Sequence, residues 1–268
     1  MVRGLVLSSF GYCLVAFWAV IPARASVGYI VNCCDNPSTV GVYATSNDQQ
    51  TAEWNVGTNA VAAVFSPDGK TAYIANQGTN GTPGVPGSIT VVDVYSGATV
   101  ATIQVGYSLE WMVLSKDGSR LYVDSYDAAY YGHVVAIDTA TNTVSQAVEF
   151  PGLQGGPMAL TPDGSTLYTA SGYGGPVGVL AIDTGSLSVI TTVSINTVFG
   201  LAITPDGKYL YASAFGSPTG VDVAVIDTST NAVVTTIPLS ATSLGASVQI
   251  SPDGSMVWVS ESSFITVI

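Results

Sequence analysis

The residues able to do chemistry are few. The chain has 268 residues with one histidine, His133, three cysteines, and 18 Asp or Glu against 6 Lys or Arg. A single histidine excludes every mechanism that needs two. Cys33 and Cys34 are adjacent, so their Cα atoms lie about 3.8 Å apart, short of the roughly 4.4–6.8 Å of an ordinary disulfide. A bond between them would be strained and easily reduced; the alternatives are a bridge to another chain or free thiols. Both are redox candidates. Zinc wants about four ligands and, beyond residue 25, His133 is the only other soft donor, so no metal site is expected from these residues. The sequence has no Gly-x-Ser-x-Gly elbow, no HExxH and no CxxCH, which removes the serine-hydrolase, zincin and c-type cytochrome readings. What is left is carboxylates and aromatics. Asp124 and Glu110 are the candidate catalytic acids. Trp111, Tyr126, Asp127, Tyr130, Tyr131, His133, Tyr173, Phe199 and Phe215 are candidate binding residues, because aromatic rings beside a polar cleft stack on sugars, planar rings or peptides.

Composition narrows the setting of these groups. Charged residues make up 9% of the chain, against about 25% in an ordinary soluble domain, so the Glu, Lys and Arg that build helical surfaces are scarce. A net charge of −12 leaves little to neutralise phosphates, which argues against nucleic acid as a partner.

The first 25 residues read as a Sec-type signal peptide: Arg3, then a largely apolar stretch from Leu5 to Ile21, then Ala23-Arg24-Ala25. Cleavage after Ala25 would leave an exported, periplasmic or extracellular chain, with Cys33 and Cys34 as its only cysteines. No later segment has the roughly 18 continuous apolar residues of a membrane span.

A repeat must position everything else. Ser66-Pro67-Asp68-Gly69 recurs as Ser115-Lys116-Asp117-Gly118, Thr161-Pro162-Asp163-Gly164, Thr204-Pro205-Asp206-Gly207 and Ser251-Pro252-Asp253-Gly254. Proline presets φ, Asp bonds its own turn and Gly takes a positive φ, so each copy predicts a tight turn between two strands. An apolar run precedes each turn. An alternating strand follows it, such as Tyr73-Ile74-Ala75-Asn76, Tyr122-Val123-Asp124-Ser125 or Tyr168-Thr169-Ala170-Ser171. A Gly-rich connection, a third strand ending in Asp (Asp93, Asp138, Asp183, Asp227) and a fourth β-branched strand complete the unit. Four short strands per roughly 45 residues is the signature of a propeller blade. The expected fold is an all-β propeller of four-stranded antiparallel blades. Residues 26–268 form one domain: a partial blade at 27–57, full blades at about 58–106, 107–152, 153–196 and 197–240, and a partial blade at 241–268.

The Pro-Asp-Gly turn, the Tyr-Val-Thr-Asn-like second strand and the closing Ile-Asp-Thr-x-Thr-Asn of Ile137–Asn142 and Ile226–Asn231 resemble the YVTN-type β-propeller repeats of exported bacterial and archaeal proteins. The resemblance covers the whole chain after residue 25. It departs at Lys116, which replaces the turn proline, and at Ala214 and Glu261, which replace the strand Asn. It implies a rigid scaffold and specifies no activity. With its first and last blades incomplete, the chain reads as a C-terminally truncated part of a larger ring, seven-bladed by expectation.

In such a blade the first-to-second and third-to-fourth turns share one end. The second-to-third connections share the other with the starts of the first strands. That second end gathers the aromatic and acidic candidates. Asp124 stands where other copies have Ala75, Ala170, Ser213 or Ser260, so a buried carboxylate replaces a small residue. Glu110, Asp127 and Glu261 could join it in a cluster whose oxygens suit Ca²⁺; otherwise no cofactor is expected. The function read from this is a non-enzymatic, monomeric binding scaffold for a protein, glycan or surface polymer. The alternative is a hydrolase resembling the lactonase-type propellers, with an acidic, Ca-assisted site.

Overall fold

The computed structural model describes residues 2–9, 12–19, 27–32, 37–79, 85–106, 108–127, 131–150, 155–170, 178–215, 221–239, 247–260 and 265–268, the first two segments as backbone only. Every regular element among them is a β-strand. The first sheet comprises β1 (Val2–Ser9), β2 (Tyr12–Ala19), β3 (Val27–Asn32), β4 (Thr39–Ala44) and β5 (Gln49–Asn55). The second comprises β6 (Ala60–Phe65), β7 (Thr71–Asn76), β8 (Ser88–Asp93) and β9 (Thr99–Gln104), and the third β10 (Ser108–Leu114), β11 (Arg120–Tyr126), β12 (Gly132–Asp138) and β13 (Thr143–Phe150). The fourth comprises β14 (Met158–Leu160), β15 (Thr166–Ala170), β16 (Val179–Asp183) and β17 (Ser188–Val193). The fifth is β18 (Val198–Ile203), β19 (Tyr209–Phe215), β20 (Val221–Asp227) and β21 (Ala232–Pro238), and the last β22 (Ser247–Ile250), β23 (Val257–Ser260) and β24 (Ile265–Val267). Within each sheet the strands lie in chain order. These six antiparallel meanders are the blades of a β-propeller.

The chain divides into two compact units, Met1–Ala129 with His133–Ala147, and Tyr130–Gly132 with Val148–Ile268. In the first unit the core lies between successive sheets. Ala72 and Ile74 of β7 pack on Tyr29, Val31 and Trp54. Tyr73 and Ala75, on the opposite face of the same strand, pack on Leu109, Leu121 and Val123. The second unit repeats the scheme: Tyr168 and Ala170 meet Leu210 and Ala212, and Val221 and Val223 meet Val248, Val257 and Val259. Strand alternation therefore places apolar side chains on both faces, because both faces are covered. A tyrosine early in the second strand adds a directional tie. Tyr73 bonds Thr139 of the next sheet, and the Tyr168 hydroxyl donates to Asn231 Oδ1 at 2.8 Å.

Each recurring turn is a closed hydrogen-bond unit. At the first, the Ser66 hydroxyl donates to Asp68 (2.7 Å), the Lys70 amide donates to the same carboxylate (3.1 Å), and the Thr71 amide donates to Ser66 Oγ (3.0 Å). Gly69 lies at φ 70° and its amide donates to the Ser66 carbonyl at 2.8 Å. The copy with Lys116 keeps this geometry: Gly118 N donates to Ser115 O at 2.8 Å and the Ser115 hydroxyl to Asp117 at 2.6 Å. Proline therefore adds stiffness to the turn, whereas hydroxyl, carboxylate and glycine define it.

The first sheet differs from expectation. Residues assigned to the signal peptide form β1 and β2, and β2 pairs with β3 from Leu14↔Asn32 to Ala19↔Val27. An apolar run with Val, Leu and Phe has the β-propensity to extend an open sheet edge when it is present in the chain. The repeat accounts for β3 to β24; β1 and β2 come in addition.

Candidate functional site

The candidate carboxylates gather in the third sheet through an irregularity in its first strand. β10 pairs with β11 with Ser108 opposite Tyr126 and Trp111 opposite Asp124, and the register slips between Leu109 and Trp111. Glu110 is the extra residue of that bulge, a device that re-aims a side chain at the rim of a sheet. The same slip occurs between Ala60 and Ala62 and between Val198 and Gly200, so Val61, Glu110 and Phe199 are equivalent positions. Each lies five residues before the turn hydroxyl of Ser66, Ser115 or Thr204.

Burial of Glu110 pushes its carboxyl above the ordinary glutamate range, partly offset by a hydrogen bond from Tyr126. Trp111 and Asp124 are directly opposed and project from one face. Asp124 is fully buried, on the opposite face of β11 from Leu121 and Val123, which pack on the preceding sheet. His133, the second residue of β12, is 6% exposed, and its Nε2 lies 3.7 Å from the Asp127 carboxylate. Toward their shared end β10, β11 and β12 thus carry two acid pairings: Glu110 with Tyr126, and Asp127 with His133. Tyr131 is exposed beside them in sequence.

In the second unit, the bulge residue Phe199 meets Phe215, which ends β19, edge to face with ring centroids 4.8 Å apart at 77°. Phe215 is 37% exposed. This pair follows from the repeat, because Phe199 starts a first strand and Phe215 ends a second strand of the same sheet. Tyr130, Tyr173, Cys33, Cys34 and Glu261 lie outside the described residues. Among the described residues, no three His, Cys, Asp or Glu side chains come together as a cation site.

The opposite end of the sheets is chemically spent. The carboxylates of Asp68, Asp163 and Asp206 are held low by their own turns, and those of Asp117 and Asp253 lie at about 2, chiefly through the bonds from Ser115 and Ser251. Asp93, Asp138, Asp183 and Asp227 are lowered in the same way by Ser96, Thr141, Ser186 and Ser229. Sequence reading credited these turns to Pro, Asp and Gly and missed the Ser or Thr hydroxyl. Its invariant place two residues before the Asp was the available signal. It also missed the Asn76 clamp. The Asn76 side chain is 1% exposed, accepts from Gly57 N (2.9 Å) and donates to Thr90 Oγ1 (2.9 Å). Gly57 is required there, since a Cβ on it would fall 2.5 Å from Asn76 Cγ.

No family model matches the chain. A curated relative, the seven-bladed β-propeller protein Rv1057 of Mycobacterium tuberculosis, is 30% identical over 151 residues, 54% of this chain. The match spans 36% of the length of that relative. Among solved structures, hydrazine synthase of Kuenenia stuttgartiensis aligns with a TM-score of 0.75 at 23% identity, over 95% of this chain and 89% of the other. These likenesses agree with the propeller fold.

Proposed function

We propose that the chain is an exported propeller of YVTN-type repeats that binds a protein, glycan or surface polymer without transforming it. The observation that carries this reading is the chemical asymmetry of the sheets. At one end five copies of the same turn bond every carboxylate to its own hydroxyl and amides. At the other end of the third sheet, in the first unit, Glu110, Trp111, Tyr126, Asp127 and His133 differ from their equivalents in other blades; separately, at that end of the fifth sheet, in the second unit, so do Phe199 and Phe215. Residues that break a structural repeat while sharing its backbone are those available for recognition. Half-buried aromatic and acidic side chains on rigid strands suit a partner offering sugar faces, or peptide segments with basic or hydroxyl groups.

Screening of the processed chain against a glycan array and purified envelope polymers tests this reading. Binding that falls at least about tenfold in Trp111→Ala or Phe215→Ala, with unchanged thermal unfolding, supports it; a residue central to an interface is worth that much. Binding unaffected by both substitutions overturns the assignment of this end.

A hydrolytic reading rests on one specific observation: Glu110, whose carboxyl burial raises, bonds Tyr126, and the next residue along the chain, Asp127, pairs with His133, which supplies an acid and a base on neighbouring strands. Lactone and ester turnover, with and without Ca²⁺, that is lost in Glu110→Gln and Asp124→Asn would replace the binding reading.

A further inference from the structure

One face of the third sheet carries polar groups where the other sheets carry small or self-bonded ones. Leu109, Met112, Leu121 and Val123 project from the first face and pack on the second sheet. On the other face, register sets Ser108 opposite Tyr126 and Trp111 opposite Asp124. Tyr126 bonds the carboxyl of the bulge residue Glu110, which brings Glu110 into the same group. Glu110 and Trp111 are half-buried, so part of each side chain remains on the surface.

The same register positions of the second sheet hold Asn59, Ala62, Ala75 and Gln77. That set closes on itself: Asn59 Nδ2 donates to Gln77 Oε1 at 2.6 Å, and the alanines add no polar group. In the fifth sheet the positions hold Thr197, Gly200, Ser213 and Phe215. The third sheet has no counterpart of the Asn–Gln bond. Tyr126 turns to Glu110 instead, and the Ser108 hydroxyl is buried with no hydrogen bond among the described residues. A buried hydroxyl costs stability until something completes its bond.

We propose that this face binds a neutral, polyhydroxylated ligand, a stretch of uncharged glycan, with a sugar ring stacked on Trp111 and sugar hydroxyls bonded to Ser108 and Glu110. The inference rests on the binding reading above and names its ligand. An indole covers the apolar C–H face of a sugar ring. A sugar hydroxyl donates and accepts at once, and the Ser108 hydroxyl can answer in either sense. Burial favours the uncharged Glu110 carboxyl, which likewise donates through one oxygen and accepts through the other. A cationic partner wants the reverse, an ionised carboxylate.

The test is retention of the purified chain on an array of neutral, acidic and sulfated oligosaccharides, with polylysine as the cationic probe. Titration calorimetry on the best-retained neutral oligosaccharide then reads the variants. Neutral oligosaccharides should retain the chain and polylysine should not. Ser108→Ala removes a hydroxyl that bonds nothing described in the chain, so affinity should fall about fivefold with no loss of thermal stability. Trp111→Ala should weaken binding at least about tenfold, and Trp111→Phe, which keeps a ring, by less. Glu110→Gln decides the charge: an amide keeps one donor and one acceptor side, so binding should stay within about twofold. A loss of about tenfold or more in Glu110→Gln, retention by polylysine or by acidic glycans alone, or retention by no neutral glycan would overturn the ligand class. A protein partner whose binding is lost in Trp111→Ala would then leave the binding reading standing, whereas a ligand indifferent to Trp111→Ala and Ser108→Ala would remove that reading from this sheet as well. Should Trp111→Ala misfold, Ser108→Ala and Glu110→Gln decide.

Discussion

Asn76 and Glu110 show at single positions how this scaffold treats polar groups it buries. Asn76 is bonded on every side, to Gly57 N, Ser88 O and Thr90 Oγ1. Its truncation would strand a half-buried amide and a buried hydroxyl and leave a cavity. Asn76→Ala is therefore expected to destabilise by about 2–3 kcal/mol, read from urea unfolding, whereas Asn76→Asp should be worse above the carboxyl pKa, because a charge replaces the donor. Glu110 is the opposite case. Its folded-state pKa is raised, so ionisation costs stability: the cost is absent below the ordinary glutamate pKa, grows as pH rises from there, and is complete above the folded value. Glu110→Gln should melt higher than the parent at pH 7 and no higher at pH 3.5. A melting curve of the variant that stays parallel to the parent at both pH values would mean that Glu110 is not desolvated.

At the scale of elements, the repeated turn carries an acid response of the reverse sign. Its carboxylates are depressed, those of Asp117 and Asp253 to about 2. Their contribution is complete above the unfolded pKa near 3.9 and is lost as pH falls through the folded values. Unfolding temperature should thus hold down to about pH 4 and drop between there and about pH 2. A flat profile across that window would deny the turns any share in stability. The odd copy offers a gain. Four of the five turns carry proline where the third sheet has exposed Lys116, yet Gly118 N bonds Ser115 O just as the others do. Lys116→Pro should stabilise by about 0.5–1 kcal/mol through the unfolded chain, and thermal unfolding of the single variant checks it. These turns were the most legible part of the sequence, because five copies at near-constant spacing expose what one would hide. The bulges were equally regular, five residues before each turn hydroxyl, but Val61, Glu110 and Phe199 share no chemistry, so only strand register reveals them as one position. The site was legible in part. Asp124 stood out against small equivalents, but the meeting of Asp127 with His133 depends on how the chain passes from β11 to β12, which no local rule specifies.

At the scale of the molecule, the feature with the largest structural consequence lies at the first sheet. β2 pairs along all of β3, yet its residues are those read as the core of a signal peptide. Both statements hold for the chain at different times if export removes residues 1–25. On that reading the unprocessed chain would extend its first sheet with β1 and β2, and processing would return β3 to an edge. Residues 26–268 hold their own contacts at this sheet. Tyr29 packs against Trp54 at 5.2 Å and Phe65 at 4.6 Å, both outside residues 1–25, and the core between the first two sheets rests on β3 to β8. Expression with an intact secretion pathway should give an N-terminus at Ser26 by mass spectrometry, and the processed chain should unfold cooperatively without β1 and β2. A product that retains Met1, or a processed chain that unfolds without a transition, would make β2 a permanent strand of the blade and the export reading wrong.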